Sequence, residues 1–221
     1  EDSGIHCTIL TYTLRNMSSK AVALTLAGSM MNPVGGLRRN VYDFVDANRK
    51  GKSINEFRDS GNYRGLYLHA DGIDTNDLEY GSMSLVTDHQ NLTIKPSWRR
   101  GAWFDFLREF WDDFSDGGLL TDLNYNELPK DGRPDTASLG IVDTLQAGES
   151  KSYRFTLTWY FPNRLASWER EATKTIRNQY ATRFDSAWSI ADYVVKNLGQ
   201  LESETRAFHK SLFDTTLPSY V

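Results

Sequence analysis

The segment Trp98-Arg99-Arg100-Gly101-Ala102-Trp103, followed by Glu109-Phe110-Trp111-Asp112-Asp113-Phe114-Ser115-Asp116, sets aromatic rings and carboxylates side by side. Aromatic faces can stack on pyranose rings, and carboxylates can accept hydroxyl hydrogen bonds or act as acid and nucleophile, so the pattern suits a sugar-binding cleft. Trp98, Trp103 and Trp111 are the candidate substrate-binding residues. The plainer reading, which ordinary amphipathic spacing favours, is a helix with a buried aromatic face and a solvated acidic face. No catalytic residue is assigned here. Retaining chemistry needs carboxyls about 5 Å apart across a substrate, and neighbours on one helix do not straddle a ligand.

Other chemistry-bearing types are scattered. Asp71-Gly72-Ile73-Asp74-Thr75-Asn76-Asp77-Leu78-Glu79 is oxygen-rich but lacks the residue order of a calcium loop, and reads as a solvated turn. His6, His69, His89 and His209 have no metal-ligand spacing, so no metal and no cofactor is expected. Cys7, the single cysteine, lies in strand-like text and reads as a small apolar filler; with no second cysteine an intramolecular disulfide is impossible. The strings of serine hydrolases, P-loop proteins and dinucleotide-binding folds are absent. Asn16-Met17-Ser18 and Asn91-Leu92-Thr93 match the glycosylation sequon, a pattern short enough to arise by chance, and are expected to be unused.

These residues sit in 221 that are 39% hydrophobic, 24% charged and 13% aromatic, a globular composition that argues against disorder. With 25 basic and 29 acidic residues the net charge is −4, so no global field draws the chain to nucleic acid or an anionic membrane. No apolar run approaches the roughly 18 residues of a membrane span, and Glu1-Asp2-Ser3-Gly4 carries no signal-peptide pattern or initiator methionine, so the start reads as processed.

The elements that must position the aromatic cluster are mostly strands. Ile5–Leu14 is rich in β-branched and aromatic residues, and Val22, Leu24 and Leu26 alternate with smaller residues, which predicts two antiparallel strands joined across Arg15–Lys20. Asn32–Asn62 reads as a long polar loop. Strands are predicted again at Arg64–His69, Ser82–Thr87, Leu92–Ile94 and Leu139–Val142. Trp103, Leu107, Phe110 and Phe114 predict one short amphipathic helix, ended by Gly117-Gly118. A hairpin is predicted at Leu145–Ser150, with Tyr153, Phe155, Leu157, Trp159 and Phe161 on one face of its second strand.

Beyond Pro162 no strand is predicted. Phe184, Trp188, Ala191, Val195 and Leu198 predict a helix, which Leu201, Thr205, Phe208 and Leu212 continue after a break at Gly199. Trp159, Tyr160, Trp168, Tyr180, Phe184 and Trp188 are expected to pack the strands against this tail, and Leu217–Val221 reads as a lead-in to something further. The fold class is mainly β: an antiparallel β-sandwich with a short inserted helix and a C-terminal helical linker, divided into 1–162 and 163–221.

Several strings, in order, resemble the N-terminal region of glycoside hydrolase family 116, the family of bile-acid-type non-lysosomal glucosylceramidases and bacterial β-glucosidases. They are Ile9–Asn16, Arg64-Gly65-Leu66, Trp111-Asp112-Asp113-Phe114 with Gly117-Gly118, Ala147-Gly148-Glu149-Ser150, Phe155–Pro162, Asn178–Phe184 and Thr216-Leu217-Pro218. The resemblance implies a β-sandwich ahead of a helical toroid that holds both catalytic carboxylates of a retaining mechanism. No residue of this chain matches a family catalytic motif. It also implies sandwich strands ahead of the point matching Ile5, a catalytic partner domain downstream in the same polypeptide, a carbohydrate or glycoside substrate for the whole, and no turnover by this chain alone. The alternative from another class is a stand-alone β-sandwich module that binds carbohydrate or a partner protein through Trp98, Trp103 and Trp111.

Overall fold

Alternating apolar and polar residues build two antiparallel sheets, because period-2 side chains point to opposite faces of a strand. The computed structural model describes residues 2–36, 49–101, 104–130, 132–166, 174–214 and 216–217. In chain order the elements are β1 (Cys7–Arg15), β2 (Val22–Met31), β3 (Lys52–Asp59), β4 (Arg64–Asp71), β5 (Ser82–Thr87), β6 (Leu92–Lys95), α1 (Asp105–Gly117), β7 (Thr136–Leu145), β8 (Ser150–Tyr160), β9 (Asn163–Leu165), β10 (Thr175–Arg177) and α2 (Ala187–Phe213). A wide sheet has the order β1-β8-β5-β4-β3 and a narrow one β2-β7-β6; β9 and β10 form a separate ribbon. Between the two main sheets lies the core of Leu66, Leu68, Leu85, Tyr153 and Phe155 against Ala137, Leu139 and Ile141. Each such large apolar side chain contributes about 2 kcal/mol by leaving water.

The connections differ from the expected hairpins. β1 pairs with β8, from Cys7 opposite Thr158 to Arg15 opposite Ser150, while β2 pairs with β7, from Val22 opposite Leu145 to Met31 opposite Thr136. Both the Arg15–Lys20 and the Leu145–Ser150 links therefore cross from one sheet to the other. Alternation reports which face a residue takes and not which strand lies beside it, so an arch and a hairpin read alike. The two arches lie together: Asn16 N–H donates to the Glu149 carbonyl at 2.8 Å, and Gly148 N–H to that of Asn16 at 3.0 Å. The buried Asn16 side chain joins them by donating to the carbonyls of Lys20 (2.7 Å), Leu145 (3.0 Å) and Gln146 (3.0 Å).

Three further expectations are corrected. The long loop contains β3, an edge strand paired with β4 from Lys52 opposite Asp71 to Asp59 opposite Arg64. Its text, with only Ile54 and Phe57 apolar, carries no alternation; pairing to a core strand makes it. Residues 37–48 of that loop lie outside the described residues. Strand returns after Pro162 as β9 and β10, each three residues long and too short to leave a pattern. α2 runs unbroken through Gly199, since a glycine's cost of about 1 kcal/mol is small beside a cooperative helix.

α2 covers the outer face of the wide sheet with Ala187, Ile190, Ala191 and Val194; of the expected stripe, Phe184 and Ala191 are buried, and Trp188 and Val195 pack partly buried beside them. On β8, Tyr153 and Phe155 are buried toward the core, while Thr156, Thr158 and Tyr160 are buried on the other face. The Thr158 hydroxyl donates to the Ala187 carbonyl at 2.7 Å, and Ala187 N–H donates to Ser82 Oγ at 2.9 Å. Polar strand positions thus become the helix's docking points. Tyr160, Tyr180 and Phe184 join this layer as expected, whereas Trp168 lies outside the described residues.

The Asn16→Ala variant is expected to lose about 3 kcal/mol, because the carbonyls of both arches lose a buried donor. Urea unfolding, followed by tryptophan fluorescence, measures it; a loss under about 0.5 kcal/mol would mean the arches do not depend on this amide.

Candidate functional site

α1 lies on the outer face of the narrow sheet, where Thr25, Thr93, Lys95 and Gly140 point away from the core. Gly140 makes the approach possible: a Cβ there would come within 2.7 Å of Thr93 Cγ2 and 3.0 Å of Thr25 Cγ2. Leu120 then settles over the strand, its N–H donating to Thr93 Oγ1 at 2.8 Å and its carbonyl accepting from that hydroxyl at 3.1 Å. Gly118 ends the helix at φ 66°, the left-handed cap that favours glycine, with its N–H on the Phe114 carbonyl at 2.9 Å.

Lys95 is fully buried beneath α1. Its Nζ donates to Glu109 Oε1 at 2.7 Å, Asp113 Oδ2 at 3.1 Å and the Thr121 carbonyl at 2.9 Å. Asp113 also accepts from the Thr121 N–H (2.9 Å) and hydroxyl (2.6 Å). Burial opposes ionisation of Asp113, but these Thr121 bonds and the Lys95 ammonium outweigh it and hold its carboxyl below the usual range. The acidic face expected to be solvated therefore turns Glu109 and Asp113 inward, one helical turn apart, toward the same cation. Both carboxylates are committed to Lys95 rather than facing each other across a cleft.

The aromatic residues divide. Trp98 is buried, stacked on Phe110 at 4.3 Å between ring centres and 18° between planes, with its indole N–H donating to Ser138 Oγ at 2.7 Å. Phe110 stacks in turn on Phe114 at 5.7 Å. Trp111 is 59% exposed, edge-on to Phe110 at 5.5 Å. Trp103 lies outside the described residues. So the structure does not bring Trp98 and Trp111 onto one platform: Trp98 anchors α1 and Trp111 faces solvent. The inward residues of α1 are Phe106, Glu109, Phe110, Asp113 and Phe114, and Leu107, expected inside, is exposed. Lys95 escaped the sequence reading, although continuing the alternation of Leu92-Thr93-Ile94 by one residue puts it on the face of Thr93. Phe104 was also missed; it precedes α1 at φ 65°, rare for a bulky side chain, with its ring exposed.

The remaining residues serve local roles. Asp77 pairs with Lys50 at 2.5 Å within the Asp71–Glu79 turn. His6 packs on Tyr180 at 4.0 Å, and His89 on Tyr153 at 5.2 Å. Among the described residues no group of three His, Cys, Asp or Glu side chains is placed to hold a metal ion, and no helix is long and apolar enough to cross a membrane.

The fold and site thus define a mainly antiparallel β protein with one helix on each outer face. The family described as "beta-glucosidase 2, glycosyl-hydrolase family 116 N-term" matches residues 1–201, and the chain belongs to it. No curated protein matches the chain.

The Lys95→Met variant is expected to cost about 3–5 kcal/mol, because it strands two partly buried carboxylates. A depressed carboxyl adds stability above its unfolded pKa and loses it as pH falls through the folded one, so α1 should loosen on acidification below the ordinary carboxylate range. Trp98 fluorescence against pH reads this, and the Asp113→Asn variant should flatten the acid limb; an unchanged limb would place the acid sensitivity elsewhere.

Proposed function

We propose that the chain is a non-catalytic β-sandwich part of a retaining β-glycosidase of the β-glucosidase or glucosylceramidase type. It packs on a catalytic helical domain of the same polypeptide and shapes the cleft that takes the carbohydrate or glycoside substrate. The observation that carries the reading, beside family membership, is the second half of α2. From Glu202 to Phe213 every residue is exposed, and Phe208 (68%), Leu212 (60%) and Phe213 (68%) present apolar surface to solvent on a helix whose first half is firmly seated. Such a stripe suits helix-on-helix packing. The engagement of Glu109 and Asp113 with Lys95 supports the non-catalytic assignment.

In this proposal residues 1–162 are the sandwich and 163–221 the helical passage to the catalytic domain, and further strands complete the sandwich at β1 and β2. Both are edge strands, uncharged over Cys7–Leu14 and Val22–Met31, and Leu10, Tyr12 and Val22 are exposed along them. The opposite edge, β3, carries Lys52, Glu56, Arg58 and Asp59, the charge that protects a free edge. A second reading, a stand-alone module binding carbohydrate or protein, is favoured by the exposed Trp111 alone.

The chain purified free of host glycosidases is expected to leave an aryl β-glucoside intact; saturable hydrolysis would overturn the proposal. Replacing Phe208 and Leu212 together by Asp is expected to leave the chain's own melting temperature within about 2 °C, since both are exposed. In the whole protein the same change is expected to release the sandwich to limited proteolysis; unchanged resistance would show that the stripe packs on nothing.

A further inference from the structure

We infer that the loop Asp122–Leu128, between α1 and β7, forms a binding site for a neutral saccharide that does not use Trp111. The loop stands between two recesses, of about 330 and 530 Å³, both bounded by Tyr125 and Asn126. These volumes fall within the roughly 300–1,000 Å³ of small-molecule sites. Tyr125 is the wall. The Arg100 guanidinium lies 4.2 Å from its ring centre, and Arg100 N–H donates to its hydroxyl at 3.1 Å, so the ring is braced on one side while 41% of the residue is exposed.

The floor is rigid and satisfied. Buried Asp135 accepts from Arg100 Nη2 and from Ser97 Oγ, each at 2.9 Å. Buried Asn32 donates to Asn55 Oδ1 at 2.9 Å, and Asn55 donates to the Pro96 carbonyl at 3.0 Å. Arg100 Nε itself is buried, with no hydrogen-bond partner among the described residues. Asn126 offers an amide and Glu127 a carboxylate to the same recess. A braced phenol ring, an amide and carboxylates are the groups that read a pyranose, through its apolar face and its vicinal hydroxyls. Charge selects against anions in the smaller recess: Asp135 already neutralises Arg100, so Asp122 and Glu127 leave it negative, whereas Lys130 and Arg133 line only the larger recess.

The choice of a saccharide over another neutral polyol rests on the glycosidase reading. The test is a titration of the isotope-labelled full chain with methyl β-glucoside, cellobiose and glucuronate, followed by amide NMR. The two neutral sugars are expected to shift the Tyr125–Glu127 amides saturably with a dissociation constant in the millimolar range, and glucuronate to bind at least tenfold more weakly. Asn126→Ala and Tyr125→Ala are expected to weaken neutral binding at least tenfold, and Trp111→Ala to leave it unchanged. No saturable shift in this loop, equal binding of glucuronate, or shifts abolished by Trp111→Ala would each overturn the site. Such a result leaves the non-catalytic reading standing, whereas turnover of the glucoside during the titration would sink that reading and leave this site intact.

Discussion

Everything in this sandwich depends on two chain crossings being held side by side. β1 pairs with β8 and β2 pairs with β7, so the two sheets stay in register only while the links between them run together. Asn16 meets that constraint, because one side chain satisfies three carbonyls drawn from both arches and its backbone bonds across the gap. A buried carbonyl left alone costs more than a made bond gains, so the amide acts as a lock on topology as much as a source of stability. The same engagement buries the asparagine of the first glycosylation sequon.

Each sheet must also cover an outer face that carries polar side chains among its apolar ones. The wide sheet presents Ser82, Ser84, Thr156 and Thr158, and α2 arrives with a backbone N–H and a carbonyl for them, so the polar face becomes a specific seat. The narrow sheet presents Lys95 and Thr93, and α1 arrives with Glu109 and Asp113 spaced one turn apart. A buried lysine is a costly device unless its partners are complete, and it dictates which face of α1 turns inward. The charge pattern and the Phe106-Phe110-Phe114 stripe together set the rotation of that helix.

This division of labour bears on function. α1 spends Glu109 and Asp113 on structure and turns Leu107, Arg108, Trp111 and Asp112 outward, while the loop after it, steadied by Arg100 and Asp135, carries further exposed polar groups. α2 spends its first half on the sheet and presents an apolar second half. A family 116 N-terminal domain built this way has a polar loop surface on one side and an exposed apolar helical stripe on another.

The sequence by itself determined the strands with strict alternation, the two helices and their amphipathic character, the mainly β class and the family, because face periodicity and short motifs are local properties. It did not reveal β3, whose strand state comes from pairing with β4, nor the crossings at Arg15–Lys20 and Leu145–Ser150, since partner choice leaves no mark on alternation. It did not separate Trp98 from Trp111, which look alike in text. Only the tertiary structure decided that one is buried on Phe110 and the other lies in solvent, because that outcome turns on how α1 rotates to meet Lys95, a residue whose burial is set by a sheet assembled from distant parts of the chain.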